Sequence, residues 1–385
     1  MCDGSGSTSL HEHFPHAATA LTSHTLVILM KLNVIDTRPR AQIIAPSPGF
    51  KKKGLADAHL EAMLFCQYSC PYCSSNAGLA VRFRRESNQK LVKQELDREW
   101  NPHDAKDIAI TYEGIVQNLD EELSELARKP GKGKTLVYSQ LADGFSPVLV
   151  NNGTTRRVLD LLLEKTEYRI RVLTKNAIVG SSKWVEFFAS HPNRFVVGLS
   201  TGSLDPGTSK SLELLTPQPL RRVEALRNLQ DAGVPTYGML CPVFPATLQT
   251  DELEKLVDLI RPSQCEQIWS EVYNERHNWT VVRACFPPGS DSYEWMTEVY
   301  EKGNTAAWSH YAVTLYSRLI DKATSEGWSD KLTYLLYEEK ITNADAIKFA
   351  GLKGVSLQSA RDKDSGRSKH PVFAQMQDDA VKVAR

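Results

Sequence analysis

From about residue 55 onward, short apolar runs alternate with stretches whose apolar residues recur every three or four positions. Strand-like runs occupy 59–65, 135–139, 169–174, 194–200, 236–241 and 267–273, and helical spacing occupies 155–165, 182–189, 220–231 and 251–260. Gly233 and Pro235 stop the third of these helices. The stretch 84–134 is long for one crossover and is expected to carry a first helix plus an insertion. Strands that alternate with helices imply parallel pairing through right-handed crossovers. The pattern therefore predicts an α/β fold. Six units are too few for an eight-fold barrel, so we expect an open, partial (β/α)6 barrel of parallel strands. Functional loops in such a fold follow the carboxyl ends of the strands.

Past residue 290 the spacing turns mostly helical, over 293–300 and 306–325, and the chain from 365 on is polar and weakly patterned. We expect three segments: an N-terminal segment 1–54, the barrel 55–289, and a mostly helical C-terminal extension 290–385. The first 25 or so residues are rich in Ser, Gly, Thr and His and are expected to be disordered.

The 385 residues are 41% hydrophobic and 24% charged, enough for a sizeable core. Lys plus Arg and Asp plus Glu each number 46, so no global field points to nucleic acid or membrane, and such a partner would need a local patch. Two basic runs exist, Lys51-Lys52-Lys53 and Arg82-Phe83-Arg84-Arg85. The second could hold a phosphate backbone, although a solvated basic face has the same composition. The apolar stretch Leu26-Val27-Ile28-Leu29-Met30 is far too short to span a bilayer. No basic region precedes it and no small-residue cleavage site follows, so we expect no membrane association and no signal peptide. Seven cysteines without framework-like spacing argue against a disulfide scaffold and for a reducing, cytoplasmic setting.

Three of those cysteines are concentrated in Phe65-Cys66-Gln67-Tyr68-Ser69-Cys70-Pro71-Tyr72-Cys73, at the end of the first predicted strand. The spacing is C-x3-C-x2-C, with an aromatic residue before the last cysteine. One loop can thus present three thiolates to a 4Fe-4S cluster, leaving one iron open to a small molecule. A structural zinc usually wants four protein ligands, and no second Cys-x2-Cys pair exists. A dithiol redox site at Cys70 and Cys73 would leave Cys66 idle. Gly131-Lys132-Gly133-Lys134-Thr135 is not a phosphate loop, because Arg128 stands where the first glycine belongs and a strand follows. Glu271, Asn274, Glu275, Arg276 and His277 crowd the end of the last predicted strand, where they could recognise substrate or simply form a polar loop.

The triplet resembles the hallmark of the radical S-adenosylmethionine (SAM) superfamily. The resemblance implies reductive cleavage of SAM at the cluster and hydrogen abstraction from a substrate. It extends to the spore photoproduct lyase-like (DNA repair photolyase-like) branch over about 59–272. Four stretches carry it: Asp143-Gly144-Phe145-Ser146-Pro147, Leu173-Thr174-Lys175-Asn176, Ser200-Thr201, and the run from Leu214 through Arg221-Arg222 to Pro235. By this resemblance Cys66, Cys70 and Cys73 hold the cluster, Tyr72 packs near the adenine, and Ser139, Lys175 and Ser200 contact SAM. Asp143 could bond SAM or fix its own turn. Arg221 and Arg222 could pair with a carboxylate or form a solvated first helical turn. An external electron donor of ferredoxin or flavodoxin type is implied, since the chain has no second cluster motif, and the branch suggests a nucleic acid substrate.

The chain also departs from the branch. No cysteine lies between Cys73 and Cys241, and Leu149 stands near the place of an expected carboxylate. The missing cysteine puts thymine-dimer repair in doubt. Cys241 could reach the cavity from another strand as a catalytic thiol, or be a small buried residue. The alternatives from other classes are a zinc-binding adaptor and a thiol-disulfide oxidoreductase using Cys70 and Cys73.

Overall fold

A computed structural model describes residues 31–39, 42–73, 79–101, 106–139, 141–275, 277–337, 340–349, 355–358 and 367–383, with the side chains of 52, 79–85, 355–358, 380, 381 and 383 outside that description. The stretch expected to be disordered lies outside the described residues. The chain divides into two compact units, Met1–Lys31 and Leu32–Arg385. Every element below belongs to the second.

Its strands are β1 (Asn33–Thr37), β2 (Ile44–Pro46), β3 (Ala58–Leu60), β4 (Met63–Phe65), β5 (Ile108–Tyr112), β6 (Thr135–Tyr138), β7 (Arg169–Thr174), β8 (Phe195–Ser200), β9 (Thr236–Val243), β10 (Cys265–Val272), β11 (Leu332–Tyr337) and β12 (Val355–Gln358). The six expected barrel strands are β3 and β6 to β10, parallel and adjacent in chain order. Helices Thr154–Lys165, Ser182–Ala189, Pro219–Asp231 and Glu252–Ile260 lie between them in the chain. β8, with the sequence FVVGLS, is buried along its whole length, as a parallel strand covered on both faces must be. With sequential order and one crossover hand, the helices fall on one side of the sheet. Residues of β7 to β11 (Leu173, Met239, Trp269 and Leu335 among them) all line one cavity on the other side.

Two expectations need correction. The run 59–65 is two strands, not one. β3 stays in the large sheet beside β6, while β4 pairs antiparallel with β5 in a separate sheet ordered β1-β5-β4. The break falls at Glu61, a buried carboxylate that accepts from the Leu141 N–H at 3.1 Å. The next backbone N–H, that of Ala62, donates to Ser139 Oγ at 3.3 Å. These side-chain partners replace ladder bonds, so the chain leaves the large sheet just before the cysteines.

The second correction concerns the strand count. The C-terminal part is helical over Asp291–Met296, Thr305–Ser325 and Pro371–Val383, yet it also supplies β11 and β12, both parallel to the barrel strands. Among the described residues the large sheet therefore has nine strands, with β2 antiparallel at one edge. Among the described residues its two edge strands do not pair with each other, and the barrel stays open. No helix among the described residues is long and apolar enough to cross a membrane.

Packing fixes the loop that follows β6. Phe145 meets Trp184 edge-on with centroids 4.9 Å apart, and Phe188 meets Phe195 in the same manner at 5.0 Å. Each such ring contributes about 1.5–3 kcal/mol on full burial, so Phe145 pins the loop carrying Asp143 to the core. Close backbone approach matters at Gly202, where a Cβ would sit 1.8 Å from the Pro242 carbonyl oxygen. Gly202→Ala is expected to destabilise the protein by about 1–3 kcal/mol. Gly49→Ala, which meets open space, should change stability by less than about 0.5 kcal/mol. Thermal unfolding of both variants checks the pair, and equal melting temperatures would contradict this packing.

Candidate active site

The cysteine loop begins where β4 ends and turns twice. Ser69 N donates to Cys66 O at 3.4 Å and Cys73 N to Cys70 O at 3.0 Å, with Ser69 in the left-handed region at φ 45°. All three cysteines line a cavity of about 370 Å³. Burial pushes the Cys66 thiol up to about 12, with the Cys73 and Asp143 charges adding to the rise. Burial and then the Glu213 charge hold the Cys70 thiol well above its ordinary value. A reactive dithiol has a lowered pKa instead. With Cys70 buried and Cys66 and Cys73 half-buried, the loop suits a cationic centre, which stabilises thiolates that would otherwise repel one another. Among the described residues no three His, Cys, Asp or Glu side chains are placed to hold a single metal ion. A cluster takes one thiolate per iron, so its ligands need not converge on one point.

The predicted SAM contacts Tyr72, Ser139, Asp143, Lys175 and Ser200 line the same cavity. Ser139, at φ 56° just past β6, ties β6 to the β3–β4 link through its N–H to Leu60 O at 2.7 Å. Asp143 accepts from Phe145 N at 2.9 Å, Thr174 Oγ1 at 2.7 Å and Lys175 N at 2.8 Å. Both carboxylate oxygens are engaged, joining the loop after β6 to the end of β7. Burial pushes its carboxyl above the ordinary value, although these bonds oppose the rise. Lys175 Nζ donates to Ser200 Oγ at 2.7 Å and lies 5.5 Å from the centroid of the Tyr72 ring. Ser200 Oγ in turn donates to Cys241 O at 2.7 Å.

Glu213 was missed as a site residue, and Arg222 follows the carboxylate-pairing alternative rather than the solvated turn. Arg222 is 1% exposed and donates to Glu213 Oε2 and, at 2.6 Å, to Ser200 O. Tyr72 donates its hydroxyl to Glu213 Oε1, and Lys175 Nζ lies 3.8 Å from that same oxygen. Burial pushes the Glu213 carboxyl up, but Arg222 and then Lys175 outweigh it and hold it below the usual carboxylate range. The neighbouring Arg221 is solvated and pairs with Glu224 at 3.1 Å, so only one of the two arginines fits the solvated-turn reading. The available signal was the helix period. Arg222 shares the buried face with Val223, Ala225, Leu226 and Leu229.

Across the cavity, Cys241 Sγ lies 3.6 Å from Glu271 Oε2, and Tyr337 donates its hydroxyl to Glu271 Oε1 at 2.9 Å. Burial, then the Glu271 charge, holds the Cys241 thiol well above its ordinary value. Of the polar group at the end of β10, Glu271 and Asn274 line the cavity, and Lys340 donates to Asn274 Oδ1 at 2.8 Å. His277 N donates to Glu275 Oε2 instead, and Arg276 lies outside the described residues. Lys53 also lines the cavity. The side chains of Lys52, Arg82, Arg84 and Arg85 are outside the described residues.

No family model matches the chain. It is similar to an uncharacterized protein of Acidianus two-tailed virus, 22% identical over 216 residues, which is 55% of this chain and 65% of that protein. It is also similar to an uncharacterized protein of Methanocaldococcus jannaschii, 23% identical over 186 residues, or 48% of this chain and 60% of that one. The chain spans less than two thirds of the length of either relative. Among solved structures it is similar to a spore photoproduct lyase mutant, with 14% identity, a TM-score of 0.45, and 69% of this chain and 70% of that chain covered. A second mutant of that enzyme, with bound AdoMet and dinucleoside spore photoproduct, gives 15% identity and a TM-score of 0.41, covering 67% and 66%. Native anSMEcpe with bound AdoMet gives 11% identity and a TM-score of 0.38, covering 70% and 61%.

Arg222→Ala leaves a buried carboxylate without its main counter-charge and should cost about 3–5 kcal/mol, whereas Arg221→Ala should cost less than about 1 kcal/mol. A carboxyl held low in the folded state stabilises it above the unfolded pKa, and that contribution is lost as pH falls through the folded value. The gap between the two variants in urea denaturation should therefore be full at pH 7 and close below the usual carboxylate range. A gap that does not depend on pH would contradict the assignment.

Proposed function

We propose that this chain is a radical SAM enzyme acting on a substrate within the cavity described above. Cys66, Cys70 and Cys73 would hold a 4Fe-4S cluster, and Tyr72, Ser139, Lys175 and Ser200 would hold SAM beside it. When bound, that pair of cofactors supplies a one-electron cleavage of SAM and a 5′-deoxyadenosyl radical that abstracts a substrate hydrogen. The observation carrying the reading is that the cysteine loop and the Lys175–Ser200 pair share one cavity wall. Lys175 lines the cavity, and Arg222 already balances the charge of Glu213, so Lys175 is the cation we assign to an anionic group such as the SAM carboxylate. Asp143 supports that wall by fixing Thr174 and Lys175, its own oxygens being engaged. Cys241 is the catalytic side chain we assign to the substrate end, where burial keeps its thiol protonated.

An external one-electron donor of ferredoxin or flavodoxin type would reduce the cluster, in a cytoplasmic, reducing setting. Nucleic acid is the proposed substrate class, supported by Lys53 at the cavity and by the basic run Arg82-Phe83-Arg84-Arg85. A gel shift that weakens with salt, and weakens further when Arg82, Arg84 and Arg85 become Ala, is the expected outcome. Unchanged binding would remove that patch from the reading.

The central test is anaerobic reconstitution with iron and sulfide, then dithionite and SAM. A brown protein that forms 5′-deoxyadenosine and methionine is expected, and Ala at any of the three loop cysteines should abolish both products. A colourless zinc protein, or thiol exchange that survives Cys66→Ser without SAM, would overturn the proposal. Lys175→Ala should weaken SAM binding about 10- to 150-fold, the range for a hydrogen bond to a charged group, with iron content unchanged.

A further inference from the structure

We propose that Glu213 and Asn278 are positioning residues that clamp the cysteine loop at two consecutive residues, so that distant segments set the placement of its sulfurs. The proposal builds on the reading that Cys66, Cys70 and Cys73 are cluster ligands. Both residues between Cys70 and Cys73 are gripped from outside the loop. Tyr72 donates to Glu213 Oε1, and Glu213 is itself anchored by the fully buried Arg222. One residue earlier the Pro71 carbonyl accepts from Asn278 Nδ2 at 3.0 Å. Asn278 is 0% exposed; the Pro71 carbonyl can only accept, which turns the NH2 end of the amide toward it, and the Asn278 Oδ1 accepts from Tyr273 Oη at 3.0 Å.

The two arms meet on one aromatic ring. Phe244 stacks on Tyr273 at 5.1 Å and 19°, and Tyr72 meets Phe244 edge-on at 5.9 Å. Glu213 comes from the segment after β8 and Asn278 from the segment after β10, so the loop is referenced to two strand ends of the large sheet. The loop needs this because it grows from β4, which belongs to the other sheet. Ligand sets work only when their side chains are held to about half an ångström, and residues that orient ligands typically contribute about 10- to 100-fold to metal affinity.

Tyr72→Phe removes one arm while keeping the ring, and Asn278→Asp removes the donor to Pro71 while keeping the acceptor for Tyr273. In the full-length protein prepared without iron, mass spectrometry can follow alkylation of the three loop cysteines. Each variant should label about fivefold or more faster than wild type, the factor expected for one lost hydrogen bond. Tyr72→Phe combined with Glu213→Gln should label no faster than the quicker single variant, because both cut the same arm. Wild-type labelling in Tyr72→Phe and Asn278→Asp, at unchanged melting temperature, would overturn the clamp. A second measurement separates this from the cluster assignment. After reconstitution, both variants should lose iron to a chelator about tenfold faster than wild type. Faster labelling in a protein that takes up no iron even as wild type would uphold the clamp and reject the cluster.

Discussion

The ion pair between Glu213 and Arg222 is the constraint on which the site depends. Desolvating two charges is costly, and close geometry with additional hydrogen bonds to the remaining oxygens and N–H groups offsets that cost. Here the carboxylate divides its oxygens, Oε2 to Arg222 and Oε1 to Tyr72 with Lys175 nearby. Arg222 spends another donor on the Ser200 carbonyl, at the end of β8. One buried pair thus joins the cysteine loop, the β7 and β8 strand ends, and the helix Pro219–Asp231. Displacing any of these pieces would take a partner from a charged group in a low-dielectric setting.

A second constraint comes from the sheets. Sequential parallel strands leave their carboxyl ends around a common cavity, so Lys175, Ser200, Cys241 and Glu271 face one another although they are far apart in the chain. The cysteine loop is carried by the small sheet instead, whose strands β1 and β5 pair across more than seventy residues, Asn33 opposite Ile108. The site is therefore assembled from two scaffolds. Asp143 plays within the large sheet the joining role that Glu213 plays between the loop and the strand ends. It is held in place by Phe145, packed among aromatic side chains.

Across the cavity from the cysteine loop the wall changes character. Glu271 receives hydrogen bonds from a thiol and a phenol, Cys241 and Tyr337, on the two strands flanking β10. β11 lies outside the six strands expected from the pattern, so half of this arrangement depends on the extra strands. The C-terminal part is thus a wall of the cavity as well as a helical extension.

By itself the sequence determined the local features. Spacing within a few residues sets helix and strand periods, and so β6 to β10 and their intervening helices were legible to within a few positions. The C-x3-C-x2-C spacing is equally local, and it puts three thiols on one loop. Only the tertiary structure decided that 59–65 splits between two sheets, because the break depends on Glu61 finding Leu141 and Ala62 finding Ser139, some eighty residues away. It likewise decided that Arg222 is buried and Arg221 solvated. The two are adjacent in the chain and alike in chemistry; the helix period offers Arg222 to the apolar face, but only the position of Glu213 in space gives a charge there its partner. Pairings at long sequence separation leave no periodic trace in the chain, and in this protein it is such pairings that turn a cysteine loop into a site.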